Sequence, residues 1–368
     1  MTDGVLEVGV IGFGWHAAYA HMPAFRDVER AEIVAISRRS ADRLALAQKE
    51  FGVPHAYTDW REMLDQVTLD AVVVCTPQNA HVEPTVAALE RGLHVLVEKP
   101  MALTSEDAQA MVRAAEKAGR VLMVGYNGRG LPSWRAAKRV LAAGTIGPIR
   151  QIDVAYSLDN RVWQDMRPSE SLRGWIDSSA FAKAYVGDLM HREHWRHDTA
   201  VSGGTLVDVG THVMDLMLWL AGAPPTQVVA FAQPLGGGRA SVVSAQARLA
   251  NGATLSLTFN DNVAEGDDFA FRGEGRLTAY GDRGQLTADW TGFMITEAEE
   301  MWVKHDGVRE KVAPEGEKVT RAAAFVATVL DGAPNIAPAH EAAQVVALSE
   351  AIHRSAEQGG IVQIDAYT

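Results

Sequence analysis

The sequence predicts an α/β protein in two parts, an amino-terminal half on a parallel sheet and a carboxyl-terminal half on a mainly antiparallel one. Three observations carry this. Up to Gly125, short β-branched runs alternate with helical patterns, the grammar of βαβ units. After Gly125, the runs alternate apolar with polar residues and are separated by hairpin signals. The chain has 368 residues, 47% of them hydrophobic, which at about 150 residues per domain suffices for two cores.

Val5 to Ile11 reads as the first strand, followed by a glycine turn and a helix beginning near His16. Glu32 to Ile36 is the second strand, and Ala41 to Phe51 a helix stopped by Gly52. Asp70 to Cys75 is a continuous apolar run, as expected of a strand covered on both faces. Pro84 to Arg91 is a helix closed by Gly92, and His94 to Val97 is another buried strand. Ser105 to Ala118 is a helix ending at Gly119, with Val121 to Val124 as the next strand. Beyond the boundary, Arg150 to Leu158 alternates like a half-exposed strand. From Gln227 to Trp290, further alternating runs are punctuated by Asn251-Gly252 and Asp282-Arg283-Gly284. Helices are expected at 205–221 and 339–357. No solenoid-period repeat and no low-complexity tract stands out. The domains expected are 1–125 and 126–368, the second with an insertion over about 158–200.

Composition narrows the functional classes. Lys plus Arg number 34 against 46 for Asp plus Glu, a formal charge of -12. That field works against nucleic acid and anionic membrane partners. The single cysteine, Cys75, can form neither an internal disulfide nor a Cys-based zinc cluster, which fits a reducing cytoplasm. With Asp3 and Glu7 ahead of the first apolar run, no signal peptide is expected. The longest apolar stretch, Val213 to Ala221, is interrupted by Asp215 and is too short to span a bilayer.

The most informative segment is Val8-Gly9-Val10-Ile11-Gly12-Phe13-Gly14-Trp15-His16-Ala17, a G-x-G-x-x-A turn between a strand and a helix. Gly12 permits the tight turn, Gly14 lets the backbone approach a pyrophosphate, and Ala17 allows close helix–strand packing. The helix N-terminus then offers free N–H groups to the phosphates. Dinucleotide binding follows. At the end of the second strand, NAD sites place a carboxylate on the ribose hydroxyls. Here the strand ends in Ser37-Arg38-Arg39, with no carboxylate to repel a 2′-phosphate and two guanidinium groups able to grip it. NADP(H) is favoured, with NAD(H) the alternative.

Four further segments converge on one family. They are Cys75-Thr76-Pro77-Gln78-Asn79-Ala80-His81, Gly92-Leu93-His94-Val95-Leu96-Val97-Glu98-Lys99-Pro100, Gly125-Tyr126-Asn127-Gly128-Arg129, and Gly203-Gly204-Thr205-Leu206-Val207-Asp208-Val209-Gly210-Thr211-His212. Together they resemble the Gfo/Idh/MocA oxidoreductases, over nearly the whole chain. The resemblance implies an N-terminal Rossmann dinucleotide-binding domain plus a C-terminal α/β domain with a large, mainly antiparallel open sheet. It implies hydride transfer on a sugar or cyclitol, a homodimer or homotetramer formed through that sheet, and a cis Lys99-Pro100 bond. Lys99 matches the family's catalytic lysine, and Asp208 and His212 match its aspartate and histidine.

The residues support a compatible chemistry on their own. Lys99 follows a buried strand at the carboxyl edge of the sheet, where open α/β sheets bind ligands. Asp208 and His212, four apart, share a helical face that Asp215 and Trp219 extend, while Val209, Val213, Leu216 and Leu220 make the apolar side. His212 is the expected general base or acid, Lys99 the group that stabilises the reacting oxygen, and Asp208 the holder of a substrate hydroxyl or of the histidine. The expected cofactor contacts are Gly12, Phe13, Gly14, Trp15 and His16 in the turn, Ser37, Arg38 and Arg39 after the second strand, Thr76, Pro77, Asn79 and His81, and Glu98 and Lys99. The expected substrate contacts are Tyr126, Asn127, Arg129, Trp163, His194, Trp195, Asp208 and His212.

The stretch from Ser157 to Ser202 is rich in tryptophan and histidine and reads either as a substrate lid or as an anchored connection. His191, His194 and His197 are spaced by three without a cysteine, so no metal is expected. Two other activities compete with a dehydrogenase or reductase. One is a glycoside-cleaving enzyme that oxidises, eliminates and re-reduces on a retained nicotinamide. The other is a non-catalytic dinucleotide or sugar sensor, which would have no need of Lys99, Asp208 and His212 together.

Overall fold

The computed structural model describes residues 4–158, 170–189, 198–235, 240–261, 273–292 and 295–365. They form two compact units. The first gathers residues 1–125, 168–202 and 320–343, and the second 126–167, 203–319 and 344–368.

The first unit is built on a six-stranded sheet in the order β3-β2-β1-β4-β5-β6, every neighbouring pair parallel. Its strands are β1 (Leu6–Ile11), β2 (Ala31–Ser37), β3 (His55–Tyr57), β4 (Ala71–Val74), β5 (His94–Val97) and β6 (Leu122–Val124). This is the doubly wound order, in which strands are added outward on both sides of β1. The order reverses between β1 and β4, so the turn after β1 opens at the switch point where such sheets bind ligands. β4, Ala-Val-Val-Val, is buried at all four positions, as its unbroken apolar run requires. The helices Ala41–Phe51 and Ser105–Ala118 end on Gly52 and Gly119, both left-handed.

The helix after the glycine turn departs from the expected α-helix, because residues Ala17–His21 form a π-turn. β3 and the helix Trp60–Gln66 have no counterpart in the sequence reading. The helices Glu170–Ser178, Ala180–Leu189 and Arg321–Asp331, which that reading places in the second half, cluster with the first unit.

The second unit is a nine-stranded sheet in the order β14-β13-β12-β11-β7-β10-β9-β8-β15. In chain order these are β7 (Ile149–Leu158), β8 (Pro225–Leu235), β9 (Ala240–Leu249), β10 (Thr254–Asn260), β11 (Gly273–Gly281), β12 (Gly284–Thr291), β13 (Glu300–His305), β14 (Val308–Lys311) and β15 (Val362–Gln363). Only β7 with β10 is parallel. Asn251-Gly252 joins β9 to β10, and Asp282-Arg283 joins β11 to β12, at the two places the hairpin signals mark.

One face of this sheet buries Ile152, Val154 and Tyr156 of β7 with Leu255, Leu257 and Phe259 of β10. The helix Thr211–Ala221 packs on β7. It is not the half-polar helix that the sequence pattern implied. Every residue of it except Trp219 is buried, Asp215 included. Among the described residues, no helix is long and apolar enough to cross a membrane.

Candidate functional site

The glycine turn is held from two sides. Ser37 O, at the end of β2, accepts the N–H groups of Gly12 (3.1 Å) and Phe13 (2.8 Å). Gly12 has φ +84°, and a Cβ there would lie 2.7 Å from Thr76 N, so the turn excludes any side chain. The resulting cradle stands at the head of a helix, whose first N–H groups have no carbonyl partner within the helix itself, which fits a dinucleotide pyrophosphate. Phe13 is fully buried and sits edge-on to Phe51 and Phe181, so it serves the packing beneath the turn.

The end of β2 carries the cofactor-selecting residues. Ser37 is buried, Arg38 half-buried and Arg39 exposed. Arg38 Nη1 donates to Phe13 O at 3.0 Å, bringing the guanidinium back over the glycine turn. No carboxylate stands among Ser37, Arg38 and Arg39.

The loops after β4 and β5 are tied together by His81. Its Nδ1 lies 2.9 Å from Pro100 O and its Nε2 2.9 Å from Thr76 O, and burial pushes its pKa down despite those two carbonyls. Thr76 Oγ1 closes its own turn by donating to Ala80 O. Pro77 is half-buried and Asn79 exposed. Lys99 follows β5 half-buried, and the Lys99–Pro100 peptide is cis. Cys75 lies just past β4 and is half-buried, its N–H donating to Ile11 O.

Next to Lys99 lies a buried polar cluster centred on Glu98. Glu98 Oε1 is 3.1 Å from His16 Nε2 and 2.8 Å from His21 Nε2, and it also accepts Arg321 Nη1. Glu98 Oε2 accepts the Lys99 backbone N–H at 3.2 Å. Burial raises the Glu98 pKa, but Arg321 and the two imidazoles outweigh it and hold the carboxyl well below its ordinary range. Burial, reinforced by Arg321, drives His21 down to about 4. Gly125 makes room, since a Cβ there would stand 3.0 Å from Glu98 Oε1. Two imidazoles and a carboxylate this close are a metal-like donor set. Arg321 already supplies the positive charge on the oxygen that both imidazoles face, so this is read as an ion-pair network.

His21 and Arg321 are functional neighbours that the sequence reading missed. His16 and His21 are five apart, which an α-helix would splay, whereas a π-turn brings i and i+5 onto one side. Nothing local marks Arg321, whose partner is 223 positions away.

In the second unit, Asp208 (7% exposed) lies in a π-turn, Leu206–Gly210, and His212 (4% exposed) opens the helix after it. The Tyr126 ring meets the His212 ring edge-on at 6.1 Å. Arg129 is buried and bidentate on Asp215, with Nη2–Oδ1 2.7 Å and Nε–Oδ2 3.1 Å, which ties the 3-10 turn Asn127–Gly130 to the helix of His212. Asn127 Oδ1 is buried without a hydrogen-bond partner among the described residues. Lys99 falls in the first unit, and Asp208 and His212 in the second. Trp163, His194 and Trp195, with His191 and His197, lie outside the described residues.

Comparison with known proteins agrees with this geometry. Residues 6–126 match the family described as "Oxidoreductase family, NAD-binding Rossmann fold", and residues 134–287 match the "GFO/IDH/MocA C-terminal domain". A 4-carboxy-2-hydroxymuconate-6-semialdehyde dehydrogenase of Sphingobium is 30% identical over 68% of this chain and 71% of its own. A levoglucosan dehydrogenase of Pseudarthrobacter phenanthrenivorans is 32% identical over 59% of this chain and 51% of its own. An NADP(+) scyllo-inositol 2-dehydrogenase of Bacillus subtilis is 27% identical over 60% and 52%. The chain thus spans about half the length of the second and third of these curated relatives. Among solved structures, an aldose-aldose oxidoreductase of Caulobacter crescentus superposes with a TM-score of 0.77, at 22% identity over 98% of this chain and all of the other, a likeness of fold.

Proposed function

The chain belongs to the GFO/IDH/MocA oxidoreductase family, and from that premise we propose that it is an NAD(P)-dependent dehydrogenase or reductase acting on a secondary alcohol or ketone of a sugar, sugar derivative or cyclitol. The observation that carries the reading is the turn at the sheet's switch point, closed to every side chain at Gly12 and standing at the head of a helix. Gly12, Gly14, Trp15, His16, Ser37 to Arg39, Thr76, Pro77, Asn79, His81, Glu98 and Lys99 are the proposed cofactor contacts, with Phe13 left to the packing beneath the turn. The bound nicotinamide supplies the hydride acceptor or donor.

The chain's own residues manage the oxygen and its proton. His212 takes the hydroxyl proton in oxidation and returns it in reduction. Lys99 hydrogen-bonds the reacting oxygen and stabilises developing alkoxide charge. Asp208 holds a substrate hydroxyl or the imidazole. Tyr126 and Asn127 are proposed substrate contacts, and a substrate hydroxyl would supply the donor that Asn127 Oδ1 lacks among the described residues. Arg129 enters as a positioning residue, because Asp215 holds its guanidinium. Trp163, His194 and Trp195 complete the proposed substrate set.

We favour NADP(H) over NAD(H), on the absence of a carboxylate at Ser37-Arg38-Arg39. The levoglucosan and scyllo-inositol dehydrogenases among the relatives support a carbohydrate or cyclitol, whereas the Sphingobium relative is a semialdehyde dehydrogenase. We propose a homodimer or homotetramer formed on the outer face of the nine-stranded sheet, where Phe231 is 78% exposed, and a cytoplasmic location consistent with the lone cysteine. Light scattering after gel filtration tests the assembly, with a monomer as the refuting result.

The deciding experiment is a screen at 340 nm of monosaccharides, anhydrosugars, inositols and glycosides with each nucleotide. A substrate-dependent change, abolished in His212→Ala, is expected. Failure of both nucleotides to bind, or near-normal turnover by His212→Ala, would overturn the assignment.

A further inference from the structure

The helix Ala180–Leu189 belongs by its contacts to the nucleotide-binding unit. Its start is fastened to the helix Ala41–Phe51. Glu50 accepts the Phe181 N–H at 2.9 Å and the Ser179 hydroxyl, Arg43 donates to Ala184 O, and Ser179 Oγ caps the helix by accepting the Ala182 N–H at 2.8 Å. Phe181, fully buried, fills the space against Phe13 (5.8 Å) and Phe51 (5.9 Å). These ties fix where the next turn of the helix points. Tyr185, four residues on, stacks on Phe181 at 5.9 Å and lies nearly parallel to Trp15 at 6.5 Å.

That placement brings the Tyr185 hydroxyl over the glycine turn. A Cβ built on Gly14 would have the Tyr185 oxygen at 3.4 Å as its nearest neighbour, followed by Arg38 Nη1 at 3.9 Å. Gly14 is the residue whose missing side chain lets a pyrophosphate reach the backbone. The space above it is therefore bounded by a phenol and a guanidinium, two donors suited to phosphate oxygens. The Arg38 guanidinium carbon also lies 5.2 Å from the Tyr185 ring centre, so the two side chains brace each other.

We infer that Tyr185 is a cofactor-binding residue, donating its phenolic O–H to the dinucleotide pyrophosphate. The inference rests on the dinucleotide-binding reading above and extends the cofactor site into the insertion, outside the family's glycine turn. Because the pyrophosphate is common to both nucleotides, Tyr185 contributes affinity without choosing between them, whereas Arg38 and Arg39 are assigned the choice.

Titration calorimetry of wild type and Tyr185→Phe separates these roles. The probes are NADPH, NADH, ADP-ribose, which keeps the pyrophosphate, and adenosine 2′-monophosphate, which has no 5′-phosphate. A hydrogen bond to a charged group predicts that Tyr185→Phe weakens the first three by about tenfold and leaves the 2′-monophosphate unchanged. Equal affinities in wild type and variant overturn the inference, as does tighter binding by the variant, which would mean the hydroxyl obstructs the site. A uniform loss that includes the 2′-monophosphate also overturns it, since that is general damage to the helix. Failure of wild type to bind any probe instead defeats the dinucleotide reading itself.

Discussion

Removing one member of the Arg129–Asp215 pair isolates a contribution that geometry alone predicts. Both side chains are almost dry, 2% and 3% exposed, and the guanidinium grips the carboxylate through Nε and Nη2. Asp215→Leu takes this carboxylate from a buried cation, and Arg129→Met takes this guanidinium from a buried anion. Breaking a buried pair from one side costs about 3–5 kcal/mol, because the survivor keeps the desolvation penalty without the attraction. At roughly 2–4 °C per kcal/mol for a unit of this size, each single substitution should lower the second unit's melting temperature by about 6–20 °C. The double variant removes both charges and replaces them with apolar groups of similar reach, so it should sit within about 2 kcal/mol of wild type. Scanning calorimetry and urea titration of the four proteins close the cycle. Single variants costing less than about 1 kcal/mol, or a double variant whose loss equals the sum of the singles, would refute the reasoning.

Three further outcomes follow from the first unit. His21 binds its proton at about 4 in the fold against about 6.5 in the unfolded chain, so its contribution is complete above pH 6.5 and drains away as pH falls toward 4, by about 3 kcal/mol in all. His81, also pushed down by burial, acts in the same direction, and Glu98 adds its own loss at still lower pH, so urea midpoints should fall steadily from pH 7 to 4.5, and a flat profile contradicts this. Gly12→Ala should abolish nucleotide binding, because φ +84° strains any L-residue by about 1–2 kcal/mol and the added carbon meets Thr76 backbone, so calorimetry showing wild-type affinity would count against the cradle. Ser37→Asp should weaken NADPH about tenfold or more while sparing or improving NADH, and an unchanged preference ratio removes Ser37-Arg38-Arg39 as the selecting site.

What the sequence showed well was whatever is encoded locally. The helices Ala41–Phe51 and Ser105–Ala118 have the bounds read from pattern and terminal glycine, because a periodic apolar face and a left-handed cap are both properties of adjacent residues. β4 and β5 were legible because strands covered on both faces are uniformly apolar. His55–Tyr57 was not, since three residues carry no period. The helix Thr211–Ala221 was placed but its polar stripe misjudged, because a buried Asp215 and an exposed one look alike until Arg129 is seen beside it. The insertion's packing was hidden for a related reason. Its aromatic residues signal burial, yet nothing in their spacing says that Phe181 packs on Phe13 and Phe51, or Trp175 on Trp15. Lys99, Asp208 and His212 could be named from short motifs, whereas the Glu98–Arg321 contact depends on a chain path that no motif records.

The two π-turns explain why the polar residues of each unit are where they are. Each follows a glycine turn: Ala17–His21 after Gly12 and Gly14, Leu206–Gly210 after Gly203 and Gly204. Single π-turns within helices are rare and fall frequently at functional sites. In the first unit the gain is explicit. The additional residue rotates His21 into line with His16, so both imidazoles reach one Glu98 oxygen, which an α-helix would deny to one of them. The carboxylate so held also accepts the backbone N–H of Lys99, so the distortion in the helix is connected through one side chain to the residue proposed to stabilise the substrate's oxygen. In the second unit the π-turn carries Asp208 and delivers the chain to His212, and both side chains are buried. Helix irregularity and proposed chemistry therefore coincide twice in one chain. A tolerated irregularity would have no reason to fall beside Glu98-Lys99 in one unit and on Asp208 in the other, which supports reading both turns as devices for placing polar side chains.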